Sequence, residues 1–298
     1  IILFFIYESK ENASQKNFFL ISKETSILIN NWFMMYFLSV ILIGTTYPIF
    51  LEVIANEKIS IGPPFFNKLL IPFLAPFLIF MAVGPKLNWI KDNFKKIQYS
   101  RIVLFFICLF VSFYLIKKTS SEILFSSILG GASLYLLFVT VNEFINKNYN
   151  ISQTISHFGF GLFILSILFN TLFSKEFSAN MQIGQELIYE KEKINFLKIS
   201  TFEKENYKSL IANFKITDEN KNIISLYPEI RIYNQPNILT SEADIISTAF
   251  FDKFITINLL KGEETFNVRY QTKPFMIWIW ISVCLISYGG LLSLFKRN

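Results

Sequence analysis

The chain has 298 residues, of which 52% are hydrophobic and 17% are charged, and its mean hydropathy is +0.43. Soluble globular proteins carry about 25% charged residues, so this composition excludes a chain that is water-soluble throughout and indicates a polytopic membrane protein. The net charge is +6, but residues 174–273 hold 13 basic and 14 acidic side chains. The excess of positive charge therefore lies beside apolar runs, which is a topology signal and argues against nucleic-acid binding.

The first residues, Ile1–Tyr7, are apolar and contain neither Met nor a basic stretch. They do not have the form of a signal peptide. We expect the tail of a helix that was cut within the membrane, and thus a fragment of a longer protein.

Six apolar runs follow that could cross a hydrocarbon core, which needs about 20 residues. The third run is short, and it could instead pair with the fourth as a tight hairpin because Lys117–Glu122 alone separates them. The sequence predicts a polytopic α-helical membrane protein with a multi-span region over residues 1–173 and a C-terminal helix with a short tail over 274–298. The predicted spans are 27–51, 69–85, 102–116, 123–141, 155–173 and 275–295.

Orientation follows from the Lys and Arg residues in the loops. Loops 8–26, 86–101 and 142–154, together with the tail after Phe295, contain eleven, whereas the opposite short loops contain four. We therefore predict that the first set is cytoplasmic. Segment 174–273 then faces outward, into the periplasm if the membrane is the inner membrane of a Gram-negative bacterium.

Residues 174–273 have the size of a small domain. Apolar and polar residues alternate over Ser209–Ile216 and Ile223–Tyr233, and polar residues between the two runs indicate a hairpin turn. A second hairpin is predicted for Phe254–Leu260 and Thr265–Tyr270, joined at Lys261–Glu264. The pattern predicts a small antiparallel β domain, either a sandwich or a barrel.

His157, the single histidine of the chain, lies near the predicted cytoplasmic start of the fifth span. An ionisable side chain at membrane depth suggests a function, and imidazole is a common axial ligand of haem iron. Gly159 and Gly161 would let either a flat macrocycle or another helix approach closely. The alternative is a histidine hydrogen-bonded between helices, with the two glycines serving helix packing.

Other candidate sites carry less information. The turn that contains Gly62, Pro63, Pro64 and Phe65 could contact a ligand or partner, or serve as an aromatic anchor. Asn30 and Asn31, near the start of the first span, could form hydrogen bonds between helices, and their residue type favours a packing role. The sequence contains no nucleophile–base pair of the Ser/His type, no phosphate-binding loop and no His-Glu-x-x-His motif. Four glutamates that are interspersed with lysines indicate a solvated face. These glutamates are Glu190, Glu192, Glu203 and Glu205.

Taken together, these segments resemble the C-terminal half of the CcmF/NrfE family, the haem lyase subunits of bacterial cytochrome c maturation. The resemblance runs along nearly the whole chain, with its motifs in the same order. The matching stretches are Ser22–Asn31, Leu42–Pro48, Lys58–Asn67, Met81–Pro85, His157–Gly159, Tyr227–Tyr233, Lys273–Trp280 and Gly289–Leu291.

The resemblance implies that His157 is an axial ligand of a b-type haem and that 174–273 is the periplasmic domain. It also implies partners: the haem chaperone CcmE, CcmH with CcmI, membrane lipid, and an apocytochrome c whose Cys-x-x-Cys-His motif receives haem. Thioether formation requires haem and thiols to be reduced and held together, so positioning and redox control would be the task of the protein. Tyr227, Arg231 and Tyr233 are candidate contacts with a partner or with haem.

The sequence also departs from the family. The tryptophan-rich WWD segment, two periplasmic haem-ligating histidines and the first transmembrane histidine are missing, and we expect them upstream of Ile1. Either the sequence is an N-terminal truncation, or the two halves of the protein are separate polypeptides. This chain alone would then be inactive as a holocytochrome c synthase. The alternatives are a non-catalytic scaffold subunit of the maturation complex and an NrfE-type lyase dedicated to a nitrite reductase.

Overall fold

Six long helices run through the part of the chain that the structure describes. This structure, a computed structural model, describes residues 19–91, 99–117, 123–146, 150–219, 221–259 and 265–295. The expected helix tail at Ile1–Tyr7 and the predicted turn at Lys261–Glu264 lie outside these residues. The described helices are α1 (Lys23–Ala55), α2 (Pro63–Val83), α3 (Tyr99–Ile116), α4 (Ile123–Ile145), α5 (Ile151–Phe173) and α6 (Met276–Phe295).

Each of these six helices is long and apolar enough to cross a membrane, which confirms the predicted polytopic fold. Most helices extend beyond the predicted apolar run. α1 begins at Lys23 because the side chain of Ser22 accepts a hydrogen bond from the backbone N–H of Thr25 at 3.2 Å. α2 begins at Pro63, since proline suits the first helical position. The apolar run marks the membrane core, whereas the capping residues set the helix ends.

The strands described in the structure all lie between Lys175 and Pro274. They are β1 (Lys175–Met181), β2 (Glu186–Tyr189), β3 (Glu192–Glu203), β4 (Tyr207–Asp218), β5 (Ile223–Leu226), β6 (Glu229–Tyr233), β7 (Leu239–Glu242), β8 (Asp244–Ser247), β9 (Phe251–Leu259) and β10 (Phe266–Pro274).

The strands form two antiparallel sheets, which confirms the predicted β fold and makes it a sandwich. One sheet has the order β1-β10-β9-β8, and the other has the order β2-β3-β4-β6-β7 with β5 also paired to β4. The alternation predicted for β4 is confirmed, since Ala212, Phe214 and Ile216 are all buried. Their core partners include Phe196, Ile230, Ile255 and Tyr270.

Two sequence-based interpretations in this region are wrong. Ile223–Tyr233 is not one strand but two, β5 and β6, because Pro228 between them has no N–H to give to the ladder. Glu192 does not belong to a solvated face. Its carboxylate pairs with Lys253 and accepts a hydrogen bond from the hydroxyl of Tyr270 at 2.5 Å, so it joins β3 of one sheet to β9 and β10 of the other.

The chain consists of two compact units. The first comprises Ile1–Leu165 with Leu285–Asn298, and the second comprises Ser166–Cys284. The second unit thus contains the sandwich together with the last residues of α5 and the first residues of α6.

Candidate functional site

His157 lies half-buried on α5 and faces a cavity of about 260 Å³. The cavity is formed by α1, α2, the short 3₁₀ turn Gly84–Lys86 that follows α2, and α5. Its lining residues are Lys23, Ser26, Ile27, Asn30, Phe80, Met81, Gly84, Pro85, Gln153 and His157.

The imidazole of His157 is hydrogen-bonded to the backbone carbonyl of Met81. In a regular α-helix this carbonyl would accept from the N–H four residues later, but that residue is Pro85, which has no N–H. The helix therefore leaves the carbonyl free for the histidine. A neutral imidazole that donates from one nitrogen keeps a lone pair on the other, so this contact leaves the second ring nitrogen of His157 able to act as an acceptor.

Polar side chains surround the histidine. Gln153 lies four residues before His157 and hence on the same face of α5, while Asn30 and Lys23 reach the cavity from α1. The sequence favours only a packing role for Asn30, and sequence reasoning missed Gln153 and Lys23. The four-residue spacing from His157 was the signal that could have identified Gln153.

Close contacts hold the cavity's 3₁₀ turn in place. A Cβ atom on Gly84 would lie 2.1 Å from the Oγ of Ser26, so a larger residue would push the turn away from α1. The carboxylate of Glu24 accepts a hydrogen bond from the N–H of Ile90 at 3.0 Å. The ion pair between Lys86 and Glu143 spans 2.9 Å with side chains only 19% and 18% exposed, and it ties the turn to the end of α4.

Gly159 and Gly161 do not line this cavity. A Cβ on Gly159 would lie 3.0 Å from the backbone nitrogen of Ile286 on α6, and one on Gly161 would lie 3.3 Å from Leu137 on α4. Both glycines therefore lie where a neighbouring helix approaches closely.

The turn that contains Gly62, Pro63, Pro64 and Phe65 forms the N-terminus of α2, with Gly62 as the N-cap. Phe65 and the adjacent Phe66 pack against Gly44 of α1, where a Cβ would lie 2.7 Å from the ring of Phe66. These aromatic rings therefore contact the helix bundle itself.

Arg231 and Tyr233 lie on β6 of the sandwich, beside Tyr207. The guanidinium of Arg231 lies 5.0 Å from the ring centroid of Tyr207, which lies 5.3 Å from that of Tyr233. Tyr227 precedes β6, is exposed, and donates its backbone N–H to Asp244 at 2.7 Å. The structure thus brings two of the three predicted residues together.

Glu229 accounts for the electrostatics of this cluster. Burial alone would raise the pKa of its carboxyl, but hydrogen bonds from Arg231 and Ser209, both at 2.9 Å, hold that pKa below its ordinary value. The same hydrogen bond from Arg231 raises the pKa of the guanidinium further. The pair is therefore ionised throughout the physiological range.

Comparison with known proteins places these observations in a family context. Residues 172–274 match a family model described as the CcmF C-terminal beta-sandwich. Over 99% of its length the chain is 28% identical to the cytochrome c-type biogenesis protein CcmF of Escherichia coli and 26% identical to that of Haemophilus influenzae. The chain resembles the C-terminal half of CcmF. It spans 47% and 48% of these two relatives.

The resemblance extends to NrfE and to a solved structure. The chain is 24% identical to the cytochrome c-type biogenesis protein NrfE of Haemophilus influenzae over 98% of its length. A solved structure of cytochrome c heme lyase CcmF matches 92% of this chain with a TM-score of 0.70 and 19% identity, and the match covers 46% of that chain. These findings confirm the resemblance to the CcmF/NrfE family and the membrane-protein fold with a C-terminal sandwich.

Proposed function

We propose that this chain supplies one half of a CcmF-like cytochrome c haem lyase and that His157 is an axial ligand of a b-type haem. The observation that carries the proposal is the hydrogen bond between the imidazole and the Met81 carbonyl, which leaves the other ring nitrogen available inside a cavity formed by membrane-spanning helices. Ligating histidines commonly donate their second nitrogen to such a carbonyl. The CcmF and NrfE relatives support the same function.

The residues around the cavity fit part of a haem. The volume of the cavity, about 260 Å³, falls below the usual 300–1,000 Å³ of ligand pockets, so this chain alone would enclose only part of a haem. The ammonium of Lys23 is suited to pair with a propionate, and Gln153 could donate a hydrogen bond to the same group. The bound haem would supply one-electron chemistry, while this chain would orient it and exclude water.

We further propose that the sandwich, residues 174–273, is periplasmic and that the membrane is the bacterial inner membrane. At that face the complete protein would attach haem to the Cys-x-x-Cys-His motif of an apocytochrome c, with CcmE presenting the haem and CcmH and CcmI assisting the apoprotein. The excess of Lys and Arg in the opposite loops supports this orientation.

A test combines spectroscopy with chemical rescue. The full chain would be co-expressed with the N-terminal half of a CcmF relative, and the b-type absorption spectrum of the purified complex measured. We expect His157→Gly to lose most of this spectrum and added imidazole to restore it, because free imidazole can replace the missing ligand. Phe158→Ala, which alters a neighbouring apolar cavity, should leave the spectrum unchanged.

A second candidate function is a scaffold subunit. The partly exposed cluster of Tyr207, Arg231 and Tyr233 favours this role, since tyrosine and arginine are common at protein interfaces. An unaltered haem spectrum in His157→Gly would refute haem ligation by this chain and leave the scaffold as the better account.

A further inference from the structure

A second cavity, of about 500 Å³, lies at the base of the sandwich. Its wall includes Phe173, the last residue of α5, and Phe275, which immediately precedes α6. Both helices are long and apolar enough to cross a membrane. The cavity therefore lies where the chain passes between hydrocarbon and water, at the level of lipid headgroups.

Each of the three lysines that line this cavity forms an ion pair. Lys175 pairs with Glu190 at 2.7 Å, and Lys253 pairs with Glu192, with side chains 18% and 17% exposed. The lining holds six charged side chains, and its third lysine, Lys191, pairs at 3.1 Å with Glu219, which lies outside the lining. The six residues are Lys175, Lys191, Lys253, Glu190, Glu192 and Asp218.

Asp218 differs from the other two acids of the cavity. Among the described residues it has no ion-pair partner, and one of its carboxylate oxygens accepts the N–H of Glu219 at 2.7 Å. Because Glu190 and Glu192 are already paired, Asp218 is the carboxylate best able to accept a cationic group of a ligand.

The backbone of Phe275, in the wall of the cavity, adopts a strained conformation. Its φ is +59°, a left-handed conformation that is rare for a bulky residue. The hydrogen bond from its N–H to the carbonyl of Phe250 at 2.8 Å and the packing of its ring 5.4 Å from that of Phe169 hold it there. Strained backbone of this kind is concentrated at ligand-binding sites.

We propose that this cavity binds the headgroup of a zwitterionic phospholipid, of the phosphatidylethanolamine class. Its phosphate would lie among the lysines, its ammonium beside Asp218, and its glycerol and first acyl carbons against Phe173, Phe251 and Phe275. The ammonium of the headgroup would supply the cation that Asp218 lacks, whereas an anionic headgroup would bring a further negative charge beside this unpaired carboxylate.

The experiment uses the full chain in nanodiscs that contain equal amounts of phosphatidylethanolamine and phosphatidylglycerol. The lipids that remain bound after mild detergent extraction are counted by native mass spectrometry, without any need for haem. We expect preferential retention of phosphatidylethanolamine. Asp218→Asn should lower that retention about two- to fivefold, the effect of losing one partly exposed charge interaction.

A charge reversal separates recognition from a structural effect. Asp218→Lys replaces the unpaired carboxylate by a cation, so it should shift retention towards phosphatidylglycerol. Lys175→Gln should independently reduce phosphatidylethanolamine retention, and Glu205→Gln, at an exposed position away from the cavity, should not. Thermal unfolding confirms that each variant is folded. Equal retention of the two lipids by the unaltered chain, or the same preference in folded Asp218→Lys, would overturn the proposal.

Discussion

At the scale of single residues, the environment of His157 depends on a proline in a different helix. Pro85 removes the N–H that would otherwise occupy the Met81 carbonyl, and the imidazole takes its place. A ring nitrogen fixed in this way sets the tautomer before any ligand is present. Pro85 therefore influences His157 from a different helix.

This dependence can be measured by nuclear magnetic resonance. Because the chain contains one histidine, labelling with ¹⁵N-histidine yields the signals of His157 alone. We expect one dominant tautomer in the unaltered chain and a mixture in Pro85→Ala, since the new N–H can compete for the Met81 carbonyl. Pro76→Ala, a substitution inside α2, is the matched control and should leave the signals in place. Identical spectra for all three proteins would contradict this role of Pro85.

The sequence could identify His157, because an ionisable residue within an apolar run is conspicuous. It could not identify the acceptor, since every residue has a backbone carbonyl and only the helix geometry shows which one is free. The role of Gly159 and Gly161 is ambiguous in the sequence for a similar reason. The absence of a side chain shows that something approaches closely, but the neighbouring helices can be named only from the fold.

At the scale of elements, small residues bring α5 and α6 together. Ser152, Ser156 and Gly159 follow one face of α5, and Gly289 meets that face from α6. A Cβ on Gly289 would lie 2.8 Å from both the carbonyl oxygen of Ser152 and the nitrogen of Ser156. Such contacts allow two membrane helices to pack at short distance.

Two adjacent glycines provide a matched test of this packing. Gly289→Ala should destabilise the helix bundle by about 1–3 kcal/mol, because backbone atoms must move apart. Gly290 has open space around it, so Gly290→Ala should be neutral or stabilising by up to about 1 kcal/mol through helix propensity. Unfolding of the full chain in detergent would measure both, and equal effects would contradict the packing argument.

The number of helices could be predicted because apolar runs of membrane length are unmistakable. Their ends could not, as capping at Ser22 and Pro63 depends on local hydrogen bonding and backbone geometry. In the sandwich, the alternation of apolar and polar residues identified β4. It did not identify β3, which carries Lys and Glu at several positions. Glu192 shows why that pattern misleads: its charge is compensated by Lys253 from the opposite sheet, which no local pattern reveals.

At the scale of the whole molecule, carboxylates couple the stability of the sandwich to pH. The hydrogen bond from Arg269 holds the pKa of Glu176 below its ordinary value of 4.5. Burial opposes the shift at Glu229, but Arg231 and Ser209 lower that pKa as well. A lowered pKa in the folded state gives stability that is fully present above pH 4.5 and is lost as pH falls through the folded value.

We therefore expect the thermal stability of the sandwich to fall on acidification below about pH 4.5. Glu229→Gln should weaken this pH dependence and lower the unfolding free energy at neutral pH by about 1–2 kcal/mol, since the ionised hydrogen bonds are lost. Thermal unfolding followed by circular dichroism at about pH 6.5 and about pH 3.5, on either side of the transition, checks both effects. Glu205→Gln is the control, and an unchanged pH dependence in Glu229→Gln would contradict the assignment.

The arrangement of the two sheets was also beyond prediction from the sequence. β1 pairs with β10, about 90 residues further along the chain, and this pairing closes the sandwich next to its two helical connections. Alternation identifies a strand but not its partner over such a distance, because many registers satisfy the same pattern.

The cavity at His157 has a further consequence for how the protein is made. Lys23 and Gln153, which line it together, are 130 positions apart in the chain. A ribosome that adds about 5–20 residues per second needs roughly 7–26 s to pass from one to the other. During that interval α1 and α2, which line the cavity, are translated, while α5, which carries the imidazole, is not yet complete. Anything that the complete cavity holds must therefore arrive after this part of α5 has been translated.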